Sequence, residues 1–230
     1  MHRFFTAPSD IHGDTIRLSD EDFAHIRVLR LRPGELFAVC DGAGTDYICR
    51  LDDGGRGAEI VERRVSCGES VTQCRVFLAR SKSLEFAVQK SVELGAHSFV
   101  VFPSERSGPG AIKIARLQKI ALEAAKQSGR GIVPCVTAVD SFECAVAQAV
   151  DCDIPLFFHE LEKTSLKQVL TSRESGTVSI MTGPEGGFTP GEAELAIAAG
   201  MTAVMLGPRV LRCETAPAAA LAAVMYHTEF

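Results

Sequence analysis

With 230 residues, 46% of them hydrophobic, the chain can bury a sizeable core, either as one large domain or as a small one followed by a larger one. Its longest apolar runs are strand-sized, well short of the roughly 20 residues that cross a bilayer, and no signal-type apolar core opens it; a membrane protein is excluded and a cytoplasmic location expected. Eight cysteines without a CxxC pair argue against a disulfide scaffold or a zinc site, and a net charge of −5 argues against a uniformly basic nucleic-acid binder.

Residues 1–66 show short alternating or apolar runs between turn residues, with one good helix, the pattern of a small β-rich domain. Ser19 ahead of Asp20, Glu21 and Asp22 predicts an N-cap with acids in the first turn, leading into residues 23–29. Arg27, Arg30 and Arg32 follow with no acid among them, and Arg3 stands beside Phe4 and Phe5. Such arginines either grip phosphates or lie solvated on a domain edge. Residues 35–40, the turn Asp41-Gly42-Ala43-Gly44 and residues 45–51 predict a hairpin, and Asp52-Asp53-Gly54-Gly55 marks the next turn. Residues 66–70 read as a linker, which divides the chain into residues 1–70 and 71–230.

After the linker the period changes. Residues 75–79 and 98–102 read as buried strands with a helical run at 84–94 between them, which implies a parallel sheet. Ile114, Leu117, Ala121 and Ala124 recur at helical spacing, and Gly129 closes that helix. The alternation continues through 136–139, 142–150, 154–158, 166–170 and the strands near 178–181 and 203–205. Thr189-Pro190-Gly191-Glu192 predicts a capping box with proline at the first helical position, and residues 215–226 an alanine-rich last helix. The class is α/β, doubly wound.

Charge is uneven. Residues 1–66 hold 9 Lys/Arg against 12 Asp/Glu, residues 74–131 hold 10 against 4, and residues 132–230 hold 5 against 12. A local basic surface on an acidic chain suits a partner gripped at one face, such as a nucleic-acid backbone, although lysine-rich helix surfaces are common without one.

Two glycine- and proline-containing loops follow the last two strands: Gly183-Pro184-Glu185-Gly186-Gly187-Phe188 and residues 206–216. Loops at strand ends are where open α/β sheets hold ligands, and paired glycines can present backbone amides with little steric obstruction. A phosphate-binding loop would need Gly-Lys-Ser/Thr, a dinucleotide site GxGxxG, and a hydrolase elbow GxSxG; none is present. The first strand of the α/β part runs instead into Arg80-Ser81-Lys82-Ser83, and His159 near Cys152 reads as packing. Residue types alone leave open a nucleotide- or anion-binding enzyme and a catalytically silent RNA-binding module.

Several motifs carry a resemblance across nearly the whole chain. They are Met1-His2-Arg3-Phe4-Phe5, residues 25–30, Cys40-Asp41-Gly42, residues 89–95, Ser104-Glu105-Arg106-Ser107, residues 123–130, and above all the two loops. Together they resemble the bacterial 16S rRNA uridine-N3 methyltransferase family, RsmE, of the SPOUT superfamily. The resemblance implies a PUA-like β-barrel before a SPOUT domain with a C-terminal deep trefoil knot around S-adenosylmethionine. It implies a homodimer and, as substrate, 16S rRNA of the small ribosomal subunit. Knots are essentially absent among folds, so only the resemblance supports one.

On that resemblance the cofactor would rest on Phe158, on Thr182, Gly183, Pro184, Glu185, Gly186 and Gly187, and on Leu206, Gly207, Val210 and Leu211. Arg212, with Arg209 as second choice, would stabilise the anion that develops on the uracil oxygens. Glu214 or Glu185 would act as base or orient that arginine; Glu214 also suits the first turn of a helix. Arg3, Arg30, Arg106, Arg130 and Arg209 are expected on RNA phosphates, with no metal. Cys213 and Pro217 depart from the pattern, and the proline is tolerated in a first turn.

Overall fold

The computed structural model describes residues 1–54, 57–159, 164–171 and 176–229. They cluster into two units, Met1–Glu69 with Ala125–Val133, and Ser70–Ala124 with Pro134–Phe230. Among the described residues no helix is long and apolar enough to cross a membrane.

The first unit holds β1 (Arg3–Phe5), a 3-10 turn (Pro8–Asp10), β2 (Ile11–His12), β3 (Thr15–Arg17), α1 (Asp20–Leu29), β4 (Leu36–Cys40), β5 (Thr45–Leu51) and β6 (Gly57–Val65). The strands form a half-barrel sheet in the order β1-β4-β5-β6-β3-β2; β1 runs parallel to β4 and the other pairs are antiparallel. The expected hairpin is β4–β5. Its turn is held by Asp41 Oδ1, which accepts from the amides of Ala43 (2.8 Å) and Thr45 (3.0 Å), with Gly42 and Gly44 at positive φ. Gly55 of the next expected turn lies outside the described residues.

Ser19 caps α1 by accepting from the Asp22 amide, and the helix ends on Arg30 in the left-handed region at φ 57°. Phe4, Ile16, Ile26, Phe37, Val39 and Leu51 fill the space between helix and sheet, Phe4 meeting Phe37 edge-on at 5.5 Å.

The second unit alternates strictly: β7 (Cys74–Ala79), α2 (Leu84–Glu93), β8 (Ser98–Phe102), α3 (Ile114–Ser128), β9 (Cys135–Ala138), α4 (Phe142–Ala149), β10 (Ile154–Phe158), α5 (Leu166–Thr171), β11 (Val178–Thr182), α6 (Pro190–Ala198), β12 (Thr202–Val204) and α7 (Thr215–Glu229). The last turn of α3 belongs to the first unit by clustering. All six strands pair in parallel, in the order β12-β10-β11-β7-β8-β9.

Every residue of β10 and β11 is buried, as expected of strands covered on both faces. Phe77, Phe102, Phe157, Met181 and Phe188 pack with α4 and α6. Both α4 and α7 touch β7 and β11. Because the strands are parallel, the carboxyl ends of β12, β10, β11 and β7 stand side by side. The loops that follow these four strands are therefore brought together whatever their separation in sequence.

Candidate functional site

Those loops enclose a cleft of about 630 Å³. Phe158 lines it from the end of β10, and Thr182, Gly183, Pro184, Glu185 and Gly187 from the end of β11. The segment after β12 supplies Leu206, Gly207, Arg209, Val210, Leu211, Arg212 and Glu214. Gly186 stands just behind the lining. Cys213, within the expected loop 206–216, also lines the cleft, as do Lys82, Ser83 and His159, to which the sequence assigns no place there. Lys82 and Ser83 arrive because β7 is the neighbour of β11, a pairing that no local pattern encodes. The one local signal is a polar exit from an apolar strand.

The backbone suits close approach by a ligand. Gly187 and Gly207 take φ values of 68° and 82°, and nothing lies within 4 Å of where a Cβ would stand on either. Glycine is needed there for conformation rather than for space. At Gly183 space is the constraint, since a Cβ would come within 3.2 Å of the Phe188 ring. That ring is 5% exposed and packs on Phe157 at 4.5 Å between centroids. Among the described residues, the N–H groups of Leu206, Gly207, Arg209, Val210 and Leu211 make no backbone hydrogen bond.

The charged groups are partly engaged. The Lys82 amide donates to Glu185 Oε1 at 3.0 Å, tying the loop after β7 to the loop after β11. The Cys213 thiol donates to Glu214 Oε2 at 3.2 Å. Hydrogen bonds from the Glu214 backbone amide and from Cys213, with Arg212 nearby, hold the Glu214 carboxyl below the usual range. Burial, the bond to Glu214 and the charge of Glu185 push the Cys213 thiol up. The cleft thus carries an ionised Glu214, and a thiol that is a donor rather than a nucleophile. Arg209 and Arg212 are exposed at its rim.

The five arginines expected on phosphates separate into three groups. Arg30 and Arg209 are exposed. Arg3 and Arg130 turn inward, contrary to that expectation. Arg3 reaches both oxygens of the fully buried Asp46 at 2.8 Å, and donates to the Arg130 carbonyl at 3.3 Å. Arg130, 3% exposed, pairs with Glu69 at 2.7 Å, whose other oxygen accepts from the amides of Gly131 and Ile132. Arg106 is exposed, yet its Nη1 donates to the carbonyls of Gly186 at 3.0 Å and Phe188 at 3.4 Å.

Comparison with known proteins gives the family. The family described as RNA methyltransferase domain matches residues 69–225, and that described as RNA methyltransferase PUA domain matches residues 18–62. A relative from Bacillus subtilis named ribosomal RNA small subunit methyltransferase E is 32% identical over 100% of this chain and 98% of its own. One of the same name from Synechocystis is 34% identical over 97% of this chain and 77% of its own. The crystal structure of a ribosomal RNA small subunit methyltransferase E from Neisseria gonorrhoeae, bound to S-adenosyl methionine, superposes with a TM-score of 0.88 at 34% identity, covering 99% and 98% of the two chains. A putative methyltransferase from Legionella pneumophila, in complex with the same cofactor, does so with a TM-score of 0.86 at 25% identity, covering 98% and 97%.

Proposed function

From the premise that this chain belongs to the ribosomal RNA small subunit methyltransferase E family, we propose that it transfers a methyl group from S-adenosylmethionine to N3 of a uridine in 16S rRNA. The observation that carries the reading is the cleft at the carboxyl ends of β12, β10, β11 and β7, walled by both glycine loops. Its volume falls within the roughly 300–1,000 Å³ of small-molecule sites. Glycines at positive φ and amides without backbone partners among the described residues make it a fitting cradle for an adenosine. The residues that would hold the cofactor are Phe158, Thr182, Gly183, Pro184, Glu185, Gly186, Gly187, Leu206, Gly207, Val210 and Leu211. When bound, S-adenosylmethionine supplies an electrophilic methyl group.

The chain's own residues manage the proton and the charge. Uridine N3 carries a proton at neutral pH, and the N3–H bond must break as the N3–CH3 bond forms. Arg212 faces the uracil oxygens and stabilises the negative charge that develops on them. Glu214, ionised and engaged by Cys213, orients Arg212. Glu185, fastened by the Lys82 amide, accepts the N3 proton. Arg30 and Arg209 contact RNA phosphates, which makes binding salt-dependent. Arg3 and Arg130 hold the first unit together and leave the RNA-contact set.

The reading includes a homodimer working in the cytoplasm, where small subunits are assembled, and a knot closed by the segment after β12. That segment starts at the sheet edge and returns to α7, which packs on the interior strands β11 and β7. Neither a silent RNA-binding module nor a phosphate-binding enzyme gains support from the relatives.

Calorimetry with S-adenosylmethionine and methylation of isolated small subunits test the reading. Arg212→Ala should keep cofactor affinity and lose about 10²- to 10³-fold in rate. Unchanged methylation would remove Arg212 from its role, and a methyl group found on any atom other than uridine N3 would sink the assignment.

A further inference from the structure

The loop Ser104-Glu105-Arg106-Ser107 forms a closed circuit with the glycine loop. Arg106 Nη1 donates to the carbonyl of Phe188 (3.4 Å), and the next amide, that of Thr189, donates to Glu192 Oε2 (2.9 Å). Glu192 Oε1 in turn accepts from the amide of Glu105 at 2.9 Å, the residue beside Arg106. A second arm runs from Arg106 Nη1 to the Gly186 carbonyl at 3.0 Å. The fit is close: a Cβ on Gly186 would approach the Arg106 Cβ to 3.2 Å. Glu192 is 8% exposed and also completes the capping box of α6, accepting from Thr189 and being its N3 residue. The 104–107 loop is braced within itself, the Ser104 amide donating to Ser107 Oγ at 3.0 Å and the Ser107 amide to the Ser104 carbonyl at 2.9 Å.

A ring of charge-assisted bonds in which each peptide both donates and accepts polarises and fixes those peptides. Here the fixed peptides are Gly186–Gly187 and Phe188–Thr189, of which Gly187 and Phe188 line the cleft. We propose that Arg106 and Glu192 are positioning residues that clamp the loop from Gly183 to Phe188 in its cofactor-receiving shape, Arg106 acting on S-adenosylmethionine affinity rather than as a phosphate ligand. The inference rests on the function proposed above. It also gives a packing reason for glycine at position 186, where a Cβ would crowd Arg106.

The test measures two affinities of the full chain: S-adenosylmethionine by calorimetry, and a small-subunit rRNA transcript across a salt series. Wild type that binds no S-adenosylmethionine would overturn the proposed function itself, before any variant is compared. If wild type binds, Arg106→Ala is expected to raise the cofactor Kd about tenfold. The slope of log affinity for the transcript against log salt should stay as in wild type. Unchanged cofactor Kd would overturn the clamp; unchanged Kd with a slope smaller by about 1 would instead make Arg106 a phosphate contact. Glu192→Gln should raise the cofactor Kd with the same unchanged slope. The double variant should fall short of the sum of the singles, because both break one circuit; full additivity counts against it. Should Arg106→Ala fail to fold, Arg106→Lys decides: it keeps the charge with one compact donor and should restore only part of the affinity, whereas full restoration would reduce the role to charge alone. In turnover the KM for S-adenosylmethionine should rise while that for RNA holds, a split that general loss of folding does not produce.

Discussion

Two clusters of charged side chains, one in each unit, use the same residue types to opposite ends. In the first unit Asp46 is fully buried and accepts from Arg3 through both oxygens, from Cys40 at 3.1 Å and from Ser66. Each partner is engaged, and the network faces inward. In the second unit Arg209 and Arg212 stand exposed at a cleft where the N–H groups of residues 206–211 have no backbone partner among the described residues, while Glu185 and Glu214 are tethered. A closed network stabilises a fold, and its arginines are spoken for. An open one is left to a ligand. The distinction lies in what surrounds an arginine, so Arg3 and Arg212 look alike in sequence and differ in role.

The largest effect that could break this comparison belongs to the closed cluster. Asp46→Ala removes the buried carboxylate that faces the half-buried Arg3 and should cost about 3–5 kcal/mol in urea unfolding. A loss under about 1 kcal/mol would show that solvent already screens the pair, as on an open surface.

Acid titration sharpens the contrast further. Burial opposes ionisation of Asp46, but hydrogen bonds from Arg3, Ser66 and Cys40 prevail and hold its carboxyl below the usual range. An unfolded aspartate titrates near pH ~3.9, so the stabilisation is complete above that value and is lost as pH falls through the lower folded one. The melting-temperature advantage of wild type over Asp46→Asn should therefore shrink from pH 5 toward pH 2; a constant gap contradicts the assignment. Cys40, pushed up to about 12 chiefly by burial and by the bond to Asp46, stays a thiol across that range.

The smallest effect belongs to the open site. Cys213→Ser keeps a donor toward Glu214, and kcat/KM should stay within about threefold of wild type, or about 0.7 kcal/mol. A tenfold fall would mean that the thiol itself is needed.

Much of the second unit was legible because each element has a local cause. The apolar runs at 98–102 and 154–158 are strands buried on both faces, and Thr189-Pro190-Gly191-Glu192 is a cap whose bonds close within four residues. The hairpin β4–β5 follows from Asp41 and two glycines for the same reason. Sheet order was not legible, since parallel strands pair through tertiary packing. The places of Lys82 and Ser83 depend on that order and were hidden with it. Arg3 and Arg130 turn inward because their side chains pair with Asp46 and Glu69, 43 and 61 residues away, which charge in the sequence does not reveal. For Glu192 the capping motif announced one partner, Thr189, and gave no hint of the second, Glu105.

The position of β7 bears on how the chain leaves the ribosome. It is the earliest strand of its sheet, yet it sits inside, with β8 on one side and β11 on the other. β8 is complete at residue 102, but β11 ends only at residue 182. At about 5–20 residues per second, the roughly 100 residues between β7 and β11 take about 5–20 s to synthesise. Throughout that interval one side of Val76 and Leu78 offers an unpaired apolar edge to any neighbouring nascent chain. Overexpression yield should therefore respond to chaperone supply and to slower growth temperature more than the stability of the finished fold would suggest.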